Sequence, residues 1–106
     1  MSATGGAYEK LVAALLSNQA ITSSQMFGKA CLKIGGKAFV AMHDSTIVFK
    51  LSGEAHKKAM SLKNAKLWDP SGKGRPMKEW VALPIAEERM FKSMAKSALA
   101  YVAGSK

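Results

Sequence analysis

The chain has 106 residues, with 16 Lys plus Arg against 7 Asp plus Glu, for a formal charge of +9. That length fits one domain, spanning residues 1–106, and a chain of this size buries enough surface to fold without disulfides or metal. Hydrophobic residues make up 48% and are spread along the whole chain, which excludes a disordered protein.

A single cysteine, Cys31, excludes an internal disulfide and a Cys-rich zinc site, and no metal or cofactor is expected. The N-terminus lacks the charged, apolar and small-residue order of a signal peptide, and the apolar runs fall far short of a bilayer span. The expectation is a cytoplasmic protein with no membrane contact.

In chain order, Met1–Gly6 reads as a small, frayed lead-in. Tyr8, Leu11, Val12, Leu15 and Leu16 then follow helical spacing, with Thr4 as candidate N-cap. Thr22-Ser23-Ser24 reads as a loop. The period changes to two at Lys29, where Ala30, Leu32 and Ile34 alternate with Lys29, Cys31 and Lys33. Gly35-Gly36 predicts a hairpin turn, because such turns need positive φ. A strand over 37–43 follows, with Phe39 and Ala41 on one face and Ala38, Val40 and Met42 on the other. Asp44-Ser45 is a second turn, and a third strand covers 46–51. These three strands are expected to form an antiparallel meander.

Ser52 predicts a helix N-cap, with Glu54 in the first turn and Ala55, Ala59 and Leu62 along the stripe. Residues 65–68 read as a short strand and the Pro- and Gly-rich stretch 69–76 as a loop. Residues 79–83 read as the last strand, and Pro84 as the first residue of a final helix. That helix buries Phe91, Met94, Ala95, Ala98 and Val102. The order is α-β(3)-α-β(2)-α. It predicts an α+β fold, a five-stranded mostly antiparallel sheet with helices packed on it.

Several of these pieces match a known pattern. Met26-Phe27-Gly28, the hairpin around Gly35-Gly36-Lys37-Ala38-Phe39, the strand Ile47–Leu51 and the block Asp69–Pro84 with its Gly72-Lys73-Gly74-Arg75 centre resemble the TfoX N-terminal-domain family. The resemblance covers about residues 20–102 and rests on the order and spacing of these pieces. It implies a bacterial, single-domain member with a fold like type III secretion chaperones. It also implies a non-enzymatic binding or regulatory module linked to transcription or competence regulation, and it brings no catalytic residues with it.

Residues 50–78 hold eight bases (Lys50, Lys57, Lys58, Lys63, Lys66, Lys73, Arg75, Lys78) against Glu54 and Asp69. Such a segment is the footprint of a nucleic-acid or anion binder, or simply a solvated surface. Lys outnumbers Arg, which favours point charges over bidentate phosphate recognition. The loop with Lys73, Arg75 and nearby Lys78 is the candidate binding element, as a backbone nest flanked by cations. It lacks the P-loop spacing.

Trp68 and Trp80 flank this loop. They either form a stacking platform for bases or an apolar ligand, or cover the sheet with roughly 200 Å² apiece. Cys31, His43, Asp44 and His56 are the ingredients of a nucleophilic or metal site, but no spacing brings them together. The expected partners are an unidentified protein or a weakly held nucleic acid. Because the strand over 37–43 is apolar on both faces, a homodimer is a further expectation. The competing reading is a small-molecule-binding domain or an enzyme with a pocket near Trp68 and Trp80.

Overall fold

The computed structural model describes residues 3–16, 20–26, 29–43, 46–62, 64–69, 74 and 77–104. Helix α1 (Ala3–Leu15) is followed by four strands, β1 (Ile21–Met26), β2 (Lys29–Ile34), β3 (Lys37–His43) and β4 (Thr46–Lys50). Helix α2 (Gly53–Met60), strands β5 (Lys66–Trp68) and β6 (Met77–Pro84), a short 3-10 turn (Ile85–Glu87) and helix α3 (Glu88–Gly104) complete the chain. The sheet is antiparallel with strand order β1-β2-β3-β4-β6-β5, so the fold is α+β as expected.

The expected meander and the hairpin that follows α2 are both present. Gly35 and Gly36 sit at φ +57° and +81°, the double left-handed turn that joins two twisted strands with little splay. Thr46 donates its hydroxyl to the His43 carbonyl at 2.8 Å, closing the β3–β4 end. The apolar stripe of α3 is buried at all five expected positions, Phe91, Met94, Ala95, Ala98 and Val102.

The sheet has six strands, not five. The extra strand is β1, which takes in the expected loop at 22–24 and pairs with β2 from Ile21↔Ile34 to Met26↔Lys29. Its Thr-Ser-Ser-Gln centre has no apolar alternation to read. Ile21 anchors it in the core, at 4% exposure, and its polar composition suits an edge strand. Helix α1 starts at Ala3, so Thr4 lies inside the helix and residues 3–6 are not a frayed lead-in. Gly5 and Gly6 argue against a helix by propensity, but the buried Ala7 and Tyr8 dock the first turns on the sheet and override it. Pro84 closes β6 and precedes the 3-10 turn; the α-helix itself begins at Glu88. Ser52 stands at the N-cap of α2 with extended backbone, yet its hydroxyl makes no capping bond.

A β-bulge resolves the two-faced apolar strand. Leu32 pairs with Val40 and Lys33 with Ala38, leaving Phe39 as the extra residue. Phe39 and Val40 therefore both pack toward the helices, while Ala38 and Ala41 belong to the other face. On the helix side the core runs from Tyr8, Leu11 and Leu15 of α1 through Leu32, Val40, Ile47, Phe49, Val81 and Leu83 to the α3 stripe. Phe49 and Phe91 meet across it with ring centroids 5.7 Å apart.

The second face holds a separate cluster of Cys31, Ala41, Val48, Ala82, Trp68 and Trp80, joined by Ala38 and Met77. Among the described residues no helical side chain belongs to it. The two indoles lie at 5.3 Å between centroids and a 59° tilt, an edge-biased arrangement favourable for aromatic pairs. The chain thus covers this face of β3 with its own tryptophans, and burial of Ala38 and Ala41 requires no second copy.

Candidate functional site

The alternation of the strands distributes charge unevenly between the two faces. Cys31 belongs to the second face, so Lys29, two residues earlier, shares it. Lys33 pairs with Ala38, Lys50 with Trp80 and Lys66 with Ala82, each partner being part of the second-face cluster. Four lysines from β2, β4 and β5 therefore surround the tryptophan cluster. They are half-buried at Lys29, Lys33 and Lys50 and exposed at Lys66.

The acids of the described helices and strands are placed elsewhere, while Asp69, just past β5, lies at the edge of this face. Glu9, Glu54, Glu87 and Glu88 lie on α1, α2, the 3-10 turn and α3, and Glu79 is held on the helix side by the Tyr101 hydroxyl of α3. That bond raises the Tyr101 pKa, with minor contributions from burial and the Glu79 charge, while Ser52 acts in the opposite direction through its own hydrogen bond. Among the described strand residues, the second face carries cations only.

A cleft of about 280 Å³ opens on this face at the β3–β4 turn. Its walls are His43, Thr46, Lys66, Leu67, Trp68 and Asp69. Trp68 donates its indole N–H to His43 Nδ1 at 2.6 Å, and the two rings meet edge to face with centroids 6.0 Å apart. This bond fixes the imidazole orientation and places its Nδ1 lone pair on the indole. The cleft can accept a small polar group between a cation, Lys66, and a carboxylate, Asp69.

The expected site residues separate. Trp68 and Trp80 are 2% and 5% exposed, so their rings are sheet cover, and only Trp68 reaches the cleft wall. Lys78 is exposed at the start of β6, where its carbonyl accepts from His56 Nε2 at 2.8 Å. Lys73 and Arg75 lie outside the described residues. Within the loop, the Gly74 N–H donates to Asp69 Oδ2 at 2.8 Å, so one amide of the expected anion nest already holds an internal carboxylate. Gly74 takes φ +76°, which a side chain would strain.

Cys31, His43 and His56 do not form one constellation. Cys31 is fully buried on β2, and burial pushes its thiol pKa up, opposed by the Lys33 charge. His43 bonds Trp68 on the second face, while His56 on α2 bonds the backbone of β6. Asp44 lies outside the described residues. No group of three His, Cys, Asp or Glu among the described residues is placed to hold a metal ion. Likewise, no helix among them is long and apolar enough to cross a membrane.

Sequence reasoning grouped the bases by chain segment and so missed Lys29 and Lys33 as partners of Lys50 and Lys66. Their alternation with apolar residues was visible. What joins them into one surface is cross-strand register, which depends on the bulge. Comparison with known family models, curated proteins and solved structures finds no match to this chain.

Proposed function

We propose that this chain is a non-enzymatic binding and regulatory module of the TfoX N-terminal-domain kind, acting in the bacterial cytoplasm. Its helix-free face engages a polyanionic partner. The observation that carries the reading is the sorting of charge, with lysine the only charged residue among the described strand residues of the second face and both signs on the helix layer. A cationic face with no Arg among its described residues and with its aromatic rings buried suits backbone phosphates better than base edges or stacked bases. Binding is then weak, salt-sensitive and nearly indifferent to sequence. The likeness to type III secretion chaperones, and the link to transcription or competence, belong to the same proposal and rest on the resemblance described above.

The test is fluorescence anisotropy with duplex DNA across a salt series. Log K falls with log salt, and replacing Lys29, Lys33, Lys50 and Lys66 by Ala flattens the slope by about 0.9 for each phosphate no longer neutralised. Replacing Lys73, Arg75 and Lys78 instead tests the loop. If the four-lysine variant keeps the wild-type slope, the face is not the site. The second reading, a small ligand beside Trp68, is favoured by the cleft between Lys66 and Asp69. A small molecule retained in native mass spectra and lost on Lys66→Ala supports it.

A further inference from the structure

A second cavity lies on the opposite side of the sheet. It is a groove of about 450 Å³ between α1 and the β1–β2 end, within the range of roughly 300–1,000 Å³ typical of small-molecule sites. Its surface is mainly apolar, from Val12 and Ala13 of α1 and from Ala30 and Met42 of the strands. Ser23 adds a hydroxyl, and Glu9 is its one ionisable side chain apart from Tyr8.

Tyr8 forms part of this wall and is 6% exposed. Its hydroxyl is shut off from solvent and has no hydrogen-bond partner among the described residues. Native structures rarely leave a buried hydroxyl unpaired, because the group gives up water and receives nothing in return. Burial, helped by the nearby Cys31, raises the Tyr8 pKa, so the phenol stays neutral and keeps its proton to donate. The complementary ligand atom is therefore an acceptor. Glu9 at the rim, with no cation in the lining, disfavours an anionic ligand.

We propose that this groove binds a neutral, largely apolar molecule bearing a carbonyl group, whose oxygen accepts a hydrogen bond from the Tyr8 hydroxyl. Binding requires the Tyr8 side chain to turn its hydroxyl toward the groove, a rotamer change of the kind common at binding surfaces. The site is independent of the lysine face, which lies across the sheet.

Three probes separate the contributions: 2-decanone, decane and decanoate, each titrated into the ¹⁵N-labelled chain while the Val12, Ala30 and Met42 amides are followed. The ketone gives saturable shifts at these positions, binds more tightly than decane, and is preferred over decanoate. Tyr8→Phe weakens the ketone about five- to tenfold, as expected for removal of one hydrogen bond, and leaves decane unchanged. Without ligand, the same variant melts no lower than wild type, because the change removes only an unpaired group. Val12→Trp fills the groove and abolishes all the shifts.

Equal ketone affinity in wild type and Tyr8→Phe would overturn the proposal, as would a ketone no better than decane. A lower melting temperature for the ligand-free variant would also overturn it, by showing that water already satisfies the hydroxyl. Shifts at the same amides that depend on protein concentration alone would assign the groove to a second copy of the chain instead.

Discussion

The two faces of the sheet solve the same burial problem with opposite means. On the helix side, large strand residues such as Leu32, Phe39, Ile47, Phe49 and Leu83 interlock with three helices. On the second face the strand residues are small, and two indoles lie over Cys31, Ala41, Val48 and Ala82. One face spreads its packing over many side chains from distant parts of the chain. The other concentrates it in two, both from the β5–β6 unit. Cohesion on the second face therefore depends on few residues, and lysines occupy the positions around them.

The largest test of this contrast is Trp80→Ala. Loss of an indole over small residues that cannot expand into the gap should cost about 3–5 kcal/mol in urea unfolding, and Trp68→Ala should do the same. A far smaller helix-side truncation, Ile47→Val, which removes a single methylene, should cost only about 0.5–1.5 kcal/mol. If Trp80→Ala cost no more than Ile47→Val, the second face would not depend on its tryptophans.

A smaller effect appears at alkaline pH. The folded pKa of Cys31 is raised above its ordinary value of 9.0 and that of Tyr8 above 10.0, chiefly by burial. Below pH 9 both states hold these protons, and the stability is fully present. As pH rises through the unfolded values, the unfolded chain releases protons that the native state keeps, so stability falls, by at most about 1.4 kcal/mol per pH unit for each group. Cys31→Ala should flatten the onset near pH 9, and Tyr8→Phe the part above pH 10. An onset unchanged in Cys31→Ala would contradict the burial of the thiol.

The thiol offers a kinetic version of the same test. Native Cys31 should react with a thiol reagent only through opening of the sheet, and labelling should accelerate in Trp80→Ala, which uncovers that face. Rapid stoichiometric labelling of the wild type would revive a reactive role for Cys31. The smallest change is expected for Tyr101→Phe. Its bond to Glu79 is exposed, so stability should move by no more than about 0.5 kcal/mol.

These contrasts also explain what could be read before the fold was known. The Gly35-Gly36 hairpin, the bounds of β3 and the stripe of α3 follow from local chemistry, namely positive-φ residues, β-branched runs and helical spacing. Strand β1 did not show itself because Ser-Ser-Gln gains its pairing from β2 and its anchor from Ile21. The first turn of α1 was hidden by two glycines whose cost is met by docking. For the candidate site, Trp68 and Trp80 were recognisable as a pair, but alternation within one strand cannot say which face is covered by helices. The lysine surface needed both register and the bulge, and neither is local.

The bulge at Phe39 has a further consequence for how the sheet assembles. A strand with strict two-residue alternation can slide by two positions along its neighbour and still present a plausible face. One with a single phase break has only one alignment in which both halves match. Sliding β3 against β2 would expose either the Phe39-Val40 pair or the Ala38 and Ala41 positions to the wrong surface. The extra residue thus discriminates against misregistered pairings during folding, in a meander whose outer strand is too polar to do so itself.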